Sequence, residues 1–545
     1  MQRWWGIIVV AVVAFSLLPT WYELSNRKNL HPSRSFELVH NYITDYNFYL
    51  SRIRQGYEGR LTVIERYTSE EHKGSLIQEL YIAIGQAARF IPDGNYAVPL
   101  AYHVSRIVFG IALVGSVAWL AQVLFHSTFW SLIAFFSAMT ACGWPVFVHL
   151  PQGIRIGAYM PWWTVLDTMQ RVAFMPHIVL GQTLILFLIV TGGNPDIVQK
   201  KKNALFLGGM GLLLGFIFPP GLLFVLAVYG ILSVIEIIFD KKISPAVGRL
   251  IIGSIAIVSV LYYAKMLTVY PWKRLVDFDQ INPTQFSFSE YVKTLGPVLW
   301  LGIAGSVVVF MKKVRSWYPI AVWALASVGL VYFFTLVPLQ HPLRFTEMAV
   351  FIPLGLLTSY LIFTLIQFAH RKKLVGLGVA VMFVQISCIV LGMITMYDSW
   401  LWQKDFLSQK VSAGWPVISK ENYIVYPVAG FILAIDNLSW RAGRNAVVLS
   451  DIVAGNYIPA RTGQRVYVGH DGTVNKEQKL DMVHLFFSGK YPAKDAYAWI
   501  HHEGITHVFV GPQEKENGLG GDIATIYPFL RQIYVNDDAV IYEVQ

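Results

Sequence analysis

The feature that constrains this chain most is a succession of about eleven apolar runs, each near the ~20 residues that a helix needs to cross a bilayer. They lie at 4–18, 103–124, 128–148, 173–192, 204–219, 220–239, 248–268, 294–311, 317–337, 347–368 and 374–396. In hydrocarbon every backbone N–H and C=O must be bonded within the protein, so such runs are predicted to be helices. Composition agrees: 55% of the 545 residues are hydrophobic and 14% are charged, against roughly 25% charged in soluble domains. An ordinary soluble protein is excluded.

The formal charge of +10 does not mark a nucleic-acid binder, because many of the basic residues sit in short loops. Lys200-Lys201-Lys202, Lys241-Lys242, Lys312-Lys313 with Arg315, and Arg371-Lys372-Lys373 fall in alternate loops. With Arg3 they place the N-terminus and those loops in the cytoplasm and the C-terminus outside. The runs on either side of Pro219-Pro220 must make an even number of crossings, since both flanking lysine clusters belong inside. Bulky Leu18-Pro19-Thr20-Trp21-Tyr22 offers no small-residue cleavage site, so the first run is expected to be an uncleaved span and not a signal peptide. Cys142 and Cys388 both lie in apolar runs, which argues against a disulfide framework or a cysteine metal site.

The fold class is therefore a polytopic α-helical membrane protein with a C-terminal extracytoplasmic α/β domain. Residues 1–397 form the transmembrane module, including an outer loop over 23–99, and residues 398–545 form the outer domain. Shorter outer loops lie at 149–172, 269–293 and 338–346. In the tail, Val-rich segments at 446–449, 465–468, 507–510 and 539–542 alternate with helix-like stretches, as strands covered by helices do. The long first loop carries two helix-like segments, 35–55 and 76–90. Ser69-Glu70-Glu71-His72 resembles a cap and acidic first turn for the second. Their apolar stripes suit helices lying along the membrane interface.

Several polar residues face outward in this scheme. Asp45, Tyr49 and Arg52 share one helix face; Asp45 caps its helix, or pairs with Arg52, or does chemistry. Arg171 and His177 flank Met175-Pro176 at the mouth of the fourth span, as interfacial anchors or site residues. Arg344, within His341-Pro-Leu-Arg344-Phe-Thr-Glu347, either snorkels to headgroups or holds a phosphate with its fork of donors. Trp272, Lys273, Arg274, Asp277 and Asp279 read as interfacial residues.

This arrangement resembles the bacterial membrane glycosyltransferases of the GT-C fold, which use polyprenyl-phosphate-linked sugars and include relatives of the dolichyl-phosphate-mannose-protein mannosyltransferases. The resemblance covers the whole chain in architecture and a few positions in residues. It implies that Asp45 is the acidic catalytic residue of the first outer loop, and that Arg344 holds the carrier phosphate. Tyr49, Arg52, Arg171 and His177 would complete substrate binding. Asp45-Tyr46-Asn47 departs from the Asp-x-Asp form of some members. No cofactor motif is present, and a divalent metal is the one cofactor the resemblance leaves open. The implied activity is hexosyl or pentosyl transfer to a lipid, glycan or protein acceptor at the outer face of the cell membrane, serving the cell envelope. Two other classes fit parts of the pattern: a transporter or flippase of lipid-linked sugars, and a non-catalytic membrane scaffold. A transporter would favour charges deep within spans and matched broken helices, and this sequence shows few of either.

Overall fold

All eleven apolar runs contain a helix in the computed structural model, which describes residues 3–40, 42–151, 153–160, 168–281, 287–337, 340–415, 417, 425–516 and 522–545. Among the described residues, seven helices are long and apolar enough to cross a membrane: Gly94–Leu124, Pro219–Asp240, Ser244–Met266, Phe288–Met311, Arg315–Leu336, Phe351–Arg371 and Val375–Ser412. An eighth span results if the bent pair Trp4–Ser16 and Leu18–Asn29 crosses as one. Three further runs form helices of only 13, 17 and 17 residues, Thr128–Thr140, Pro176–Gly192 and Lys201–Ile217. The expected eleven spans are thus eleven helices, of which seven or eight reach spanning length. The chain is a multi-pass membrane protein, mostly helical, with a small C-terminal sheet.

The run at 128–148 shows why. Its helix ends at Thr140, and the segment Pro145–Leu150 is instead a strand, β1, paired antiparallel with β2 (Gly153–Ala158). A short Val-Phe-Val stretch has the same hydropathy in a strand as at a helix end.

The chain folds into two compact units. The first comprises Met1–Pro19, Arg106–Tyr262 and Thr284–Gln403. Its helices approach closely through small residues, the usual device where lipid supplies no hydrophobic drive for association. A Cβ on Gly305 would collide with the Leu357 carbonyl, and one on Gly392 with the Thr140 carbonyl. Gly296, at φ +64°, breaks the helix Phe288–Met311 just before Pro297 and lets the chain pass against the Cys142 carbonyl. Several loop-adjacent groups meet at one end of this unit. Buried Arg249 donates to both oxygens of Glu236, at 2.7 and 2.9 Å, and to the carbonyls of Gly192 and Gly193. Arg315 pairs with Asp240, and Trp317 stacks at 4.6 Å on Tyr360 and 5.2 Å from Phe125.

The second unit comprises Thr20–Ser105, Tyr263–Pro283 and Lys404–Gln545. Strands β3 (Val447–Leu449), β4 (Arg465–Val466), β5 (His507–Val510), β6 (Leu530–Val535) and β7 (Val540–Val544) form a sheet ordered β4-β3-β5-β7-β6. β3 runs parallel to β4 and β5, and β7 antiparallel to β5 and β6. Four of these strands coincide with the Val-rich segments. β6 was not apparent, because Leu-Arg-Gln-Ile-Tyr-Val carries charge and polarity on an edge strand with a bulge at Gln532/Tyr534.

The first loop belongs to this unit. Its helix Ile43–Tyr57 buries Ile43 and Phe48 in a core with Ile432, Tyr457 and Phe509, and Tyr46, Leu50 and Ile53 in a second with Tyr81 and Tyr102. It is covered on most of its circumference and so does not have the single apolar face of an interfacial helix. Gly56 and Gly85 let it cross the helix Glu79–Ala87 at backbone contact: a Cβ on either would strike the Ile82 or Ile53 carbonyl. Ser69 does not open that second helix, which begins ten residues later. Instead Glu70 and Ser69 both bind Lys479, at 2.8 and 2.9 Å. Trp272 and Arg274 are also buried, and so are not interfacial anchors; Arg274 binds the Asp471 carbonyl and, at 2.8 Å, the Glu477 carboxylate.

Candidate active-site residues

The structure places Asp45, Tyr49 and Arg52 in the second unit and Arg171, His177 and Arg344 in the first. Asp45 lies in the first turn of the helix Ile43–Tyr57, where an anionic side chain complements the helix dipole. The cap position is Tyr42, so Asp45 does not cap the helix, and its carboxyl is 41% exposed. His470 Nε2 stands 3.8 Å from Asp45 Oδ1. The imidazole is stacked 4.3 Å from the ring of Phe48 and 5.4 Å from that of Tyr67. Its Nδ1 accepts the Gly472 N–H at 3.1 Å. A neutral ring must then carry its proton on Nε2, the nitrogen that faces Asp45.

The neighbouring Asp471 binds Lys476. Burial alone would raise its pKa, but His470, Lys476 and Arg274 outweigh it and hold the carboxyl below its ordinary value. Tyr49 stacks at 4.5 Å on Tyr81.

Arg52 is fully buried and is not paired with Asp45. Its two terminal nitrogens reach Glu65, at 3.3 and 2.5 Å, its Nε donates to Gln78, and its guanidinium lies 3.7 Å over Phe48. Arg52 therefore supports the ring that stacks on His470 and does not project toward a ligand. His72 belongs to the same network: its Nε2 accepts the Glu65 N–H at 2.9 Å, and burial lowers its pKa, keeping it neutral.

In the first unit, Arg171 donates to the Ala141 carbonyl at 2.6 Å and lies 4.1 Å over the Phe351 ring. His177 is half-buried in the first turn of the helix Pro176–Gly192. Arg344 is exposed on a 3-10 turn, Pro342–Phe345, which His341 caps by accepting the Leu343 N–H. Gln182, on the helix of His177, donates at 2.9 Å to the carbonyl of Glu347 just beyond that turn.

No protein-family model and no curated protein matches the sequence. Solved structures do. The oligosaccharyltransferase of Archaeoglobus fulgidus in its apo form superposes with a TM-score of 0.53 at 10% identity, over 100% of this chain and 75% of that one. The same enzyme tethered to an acceptor peptide gives 0.52 at 11%, over 100% and 74%. ArnT from Cupriavidus metallidurans, bound to undecaprenyl phosphate, gives 0.51 at 12%, over 100% and 98%. The fold is the GT-C fold.

Within this GT-C chain, the sequence offers Asp45 as a candidate, and it is the fold that sets His470 beside it. The two are 425 positions apart, and nothing local marks the imidazole. Among the described residues no group of three His, Cys, Asp or Glu side chains converges in a way that could hold a metal ion. Asp45 and His470 supply two donors, so no step below passes through a metal.

Proposed function

We propose that this chain is a membrane glycosyltransferase that moves a sugar from a polyprenyl-phosphate-linked donor to an acceptor at the extracytoplasmic face. The observation that carries this reading is a half-exposed Asp45 carboxylate facing an imidazole N–H, in a chain whose whole length follows the GT-C fold. One of the similar structures is bound to undecaprenyl phosphate and another to an acceptor peptide, and both ligand classes suit the present proposal.

In this scheme an acceptor hydroxyl attacks the anomeric carbon of the donor. As the new C–O bond forms, the hydroxyl proton passes to Asp45. The bond from the anomeric carbon to the phosphate oxygen breaks, its electron pair leaves with the phosphate, and the configuration inverts. His470 Nε2, 3.8 Å from Asp45 Oδ1, is too far for a direct hydrogen bond in this structure and acts as a neighbouring polar group that the carboxylate faces. The departing phosphate gains charge and calls for a cationic donor; the exposed fork of Arg344, in the first unit, is the candidate that its own substitution tests. Arg52 takes no direct part; it positions Phe48 and through it His470.

The test is turnover and binding of polyprenyl-phosphate sugars by the detergent-purified protein. Asp45→Asn is expected to lower turnover by roughly 10²–10⁴-fold with donor binding kept. Arg344→Ala is expected to weaken donor binding by about ten-fold or more. Full turnover in Asp45→Asn would remove Asp45 as the base, and a wild type that binds no donor from a broad panel would remove the transferase reading.

A further inference from the structure

A cavity of about 710 Å³ opens in the second unit, built from the C-terminal end of the helix Ile43–Tyr57, the turn after it, residues 92–95, and residues 439–464. Asp45 is not among its lining residues; it lies nine positions back along the helix from Arg54, or ~13 Å at the helical rise. The volume is within the range of small-molecule sites, roughly 300–1,000 Å³. Five arginines line it, 54, 60, 66, 444 and 461, against only two carboxylates, Glu58 and Asp93.

Two of the arginines are neutralised. Arg66 pairs with Glu58 at 2.5 Å, and Arg461 pairs with Asp436 and Glu37 at 2.8 and 3.0 Å. The other three have no ion pair among the described residues: Arg54 is buried and bonds to the Ala460 carbonyl and the Asn95 side chain, Arg60 is half-buried, and Arg444 is exposed. Nε of Arg60 and Nη1 of buried Arg66 are sequestered from solvent with no hydrogen-bond partner. Unpaired guanidinium N–H groups in a buried site are costly, and an anion with several acceptor oxygens removes the cost. Burial, with the charges of Arg66 and Arg461 nearby and against the pull of Glu58 and Asp436, lowers the pKa of Arg54 to about 10; burial and Arg66 lower that of Arg60 against Glu58. At the rim, Trp440 is 89% exposed. A fully exposed indole beside a cationic cavity offers a flat apolar platform to a ring that enters with its charged end first.

We propose that this cavity binds a sugar carrying a terminal phosphate, with Arg54, Arg60 and Arg444 on the phosphate and Trp440 against the sugar ring. Three guanidiniums without an ion pair suit the near-dianionic charge of a phosphate monoester better than the single charge of a diester. The proposal does not rest on the glycosyl-transfer reading, since it concerns a separate set of residues and a binding readout.

The experiment is calorimetric titration of the full chain in detergent with glucose 6-phosphate, inorganic phosphate, glucose and a short-chain prenyl phosphoglucose diester. Glucose 6-phosphate is expected to bind more tightly than the other three. Arg60→Gln and Arg444→Gln should each weaken it about ten-fold without lowering the ligand-free unfolding midpoint, since neither side chain supports the core. Trp440→Ala should weaken glucose 6-phosphate and leave inorganic phosphate unchanged. If no probe binds, or if Arg60→Gln and Arg444→Gln leave binding unaltered, the cavity is not a phosphate site and the proposal falls. Equal affinity for inorganic phosphate, with no effect of Trp440→Ala, overturns the sugar. Tighter binding of the diester overturns the monoester and makes the cavity a lipid-headgroup site.

Discussion

Arg52 shows what one residue can and cannot reveal before folding. Its helical phase with Asp45 was legible in the sequence. Its true partner, Glu65, was not, because the intervening turn reverses the chain in a way no local motif declares. The pair is fully desolvated, with the side chains 0% and 5% exposed, and also anchors the Tyr67 N–H through Glu65. Removing one member leaves an uncompensated buried charge. Glu65→Gln is therefore expected to cost about 3–5 kcal/mol of stability, whereas the double change Arg52→Met with Glu65→Leu should cost less, which thermal unfolding of the purified variants would measure. Failure of the single variant to destabilise would show that Arg52 is hydrated in solution. Glu79 supplies the pH dependence. It is the first residue of its helix, its Oε2 is buried without a partner, and burial raises its pKa to about 7. The proton is thus held more tightly in the folded state, so the contribution is fully present below the ordinary pKa of 4.5 and is lost as pH rises through about 7. Between about pH 5 and about pH 8 the loss should be on the order of 1 kcal/mol, after allowance for partial exposure. Glu79→Gln should remove that part of the pH dependence in the unfolding midpoint.

At the scale of elements, periodicity located what hydropathy alone controls. Every apolar run contains a helix, and four of five strands in the C-terminal sheet were visible as Val-rich segments. The misses share a cause. β1 borrowed the hydropathy of a span, β6 lacked hydropathy on an edge, and the second loop helix starts at Glu79 because Glu70 is drawn to Lys479, a residue no local window contains. Tertiary partners overrode local signals in each case. The crossing of the two loop helices was equally invisible, although it depends on two ordinary glycines. Neither Gly56 nor Gly85 has positive φ; each is required by the approach of a neighbouring backbone carbonyl. Since a carbonyl within a helix cannot rotate aside as a side-chain tip can, Gly85→Ala must push the helices apart, at a cost of about 3 kcal/mol or more. Gly115, where a Cβ meets nothing within 4 Å, is the control: Gly115→Ala should be neutral or slightly stabilising, because alanine is the better helix former. Equal unfolding midpoints for the two variants would refute the close crossing.

At the scale of the molecule, charge counting predicts a topology, and packing shows which loop-flanking groups meet. The lysine and arginine clusters assign alternate loops to one side of the membrane. In the first unit, Arg249 ties Gly192 and Gly193 to Glu236, Arg315 pairs with Asp240, and Phe125, Trp317 and Tyr360 pack together. Those residues border the same loops: 193–200, 241–243, 312–317, the turn near His126, and the helix that leads to Arg371. The charge pattern predicts an even number of crossings between each pair of clusters, and so an orientation that a labelling experiment can test. A reporter fused after Gln545 should be active only when it reads the extracytoplasmic side, and single cysteines placed at Lys201 and Lys372 should react with an impermeant maleimide only after the membrane is opened. Labelling of the Lys372 position in intact cells while the Lys201 position stays protected would break the alternation, and with it the placement of Asp45 on the outer face.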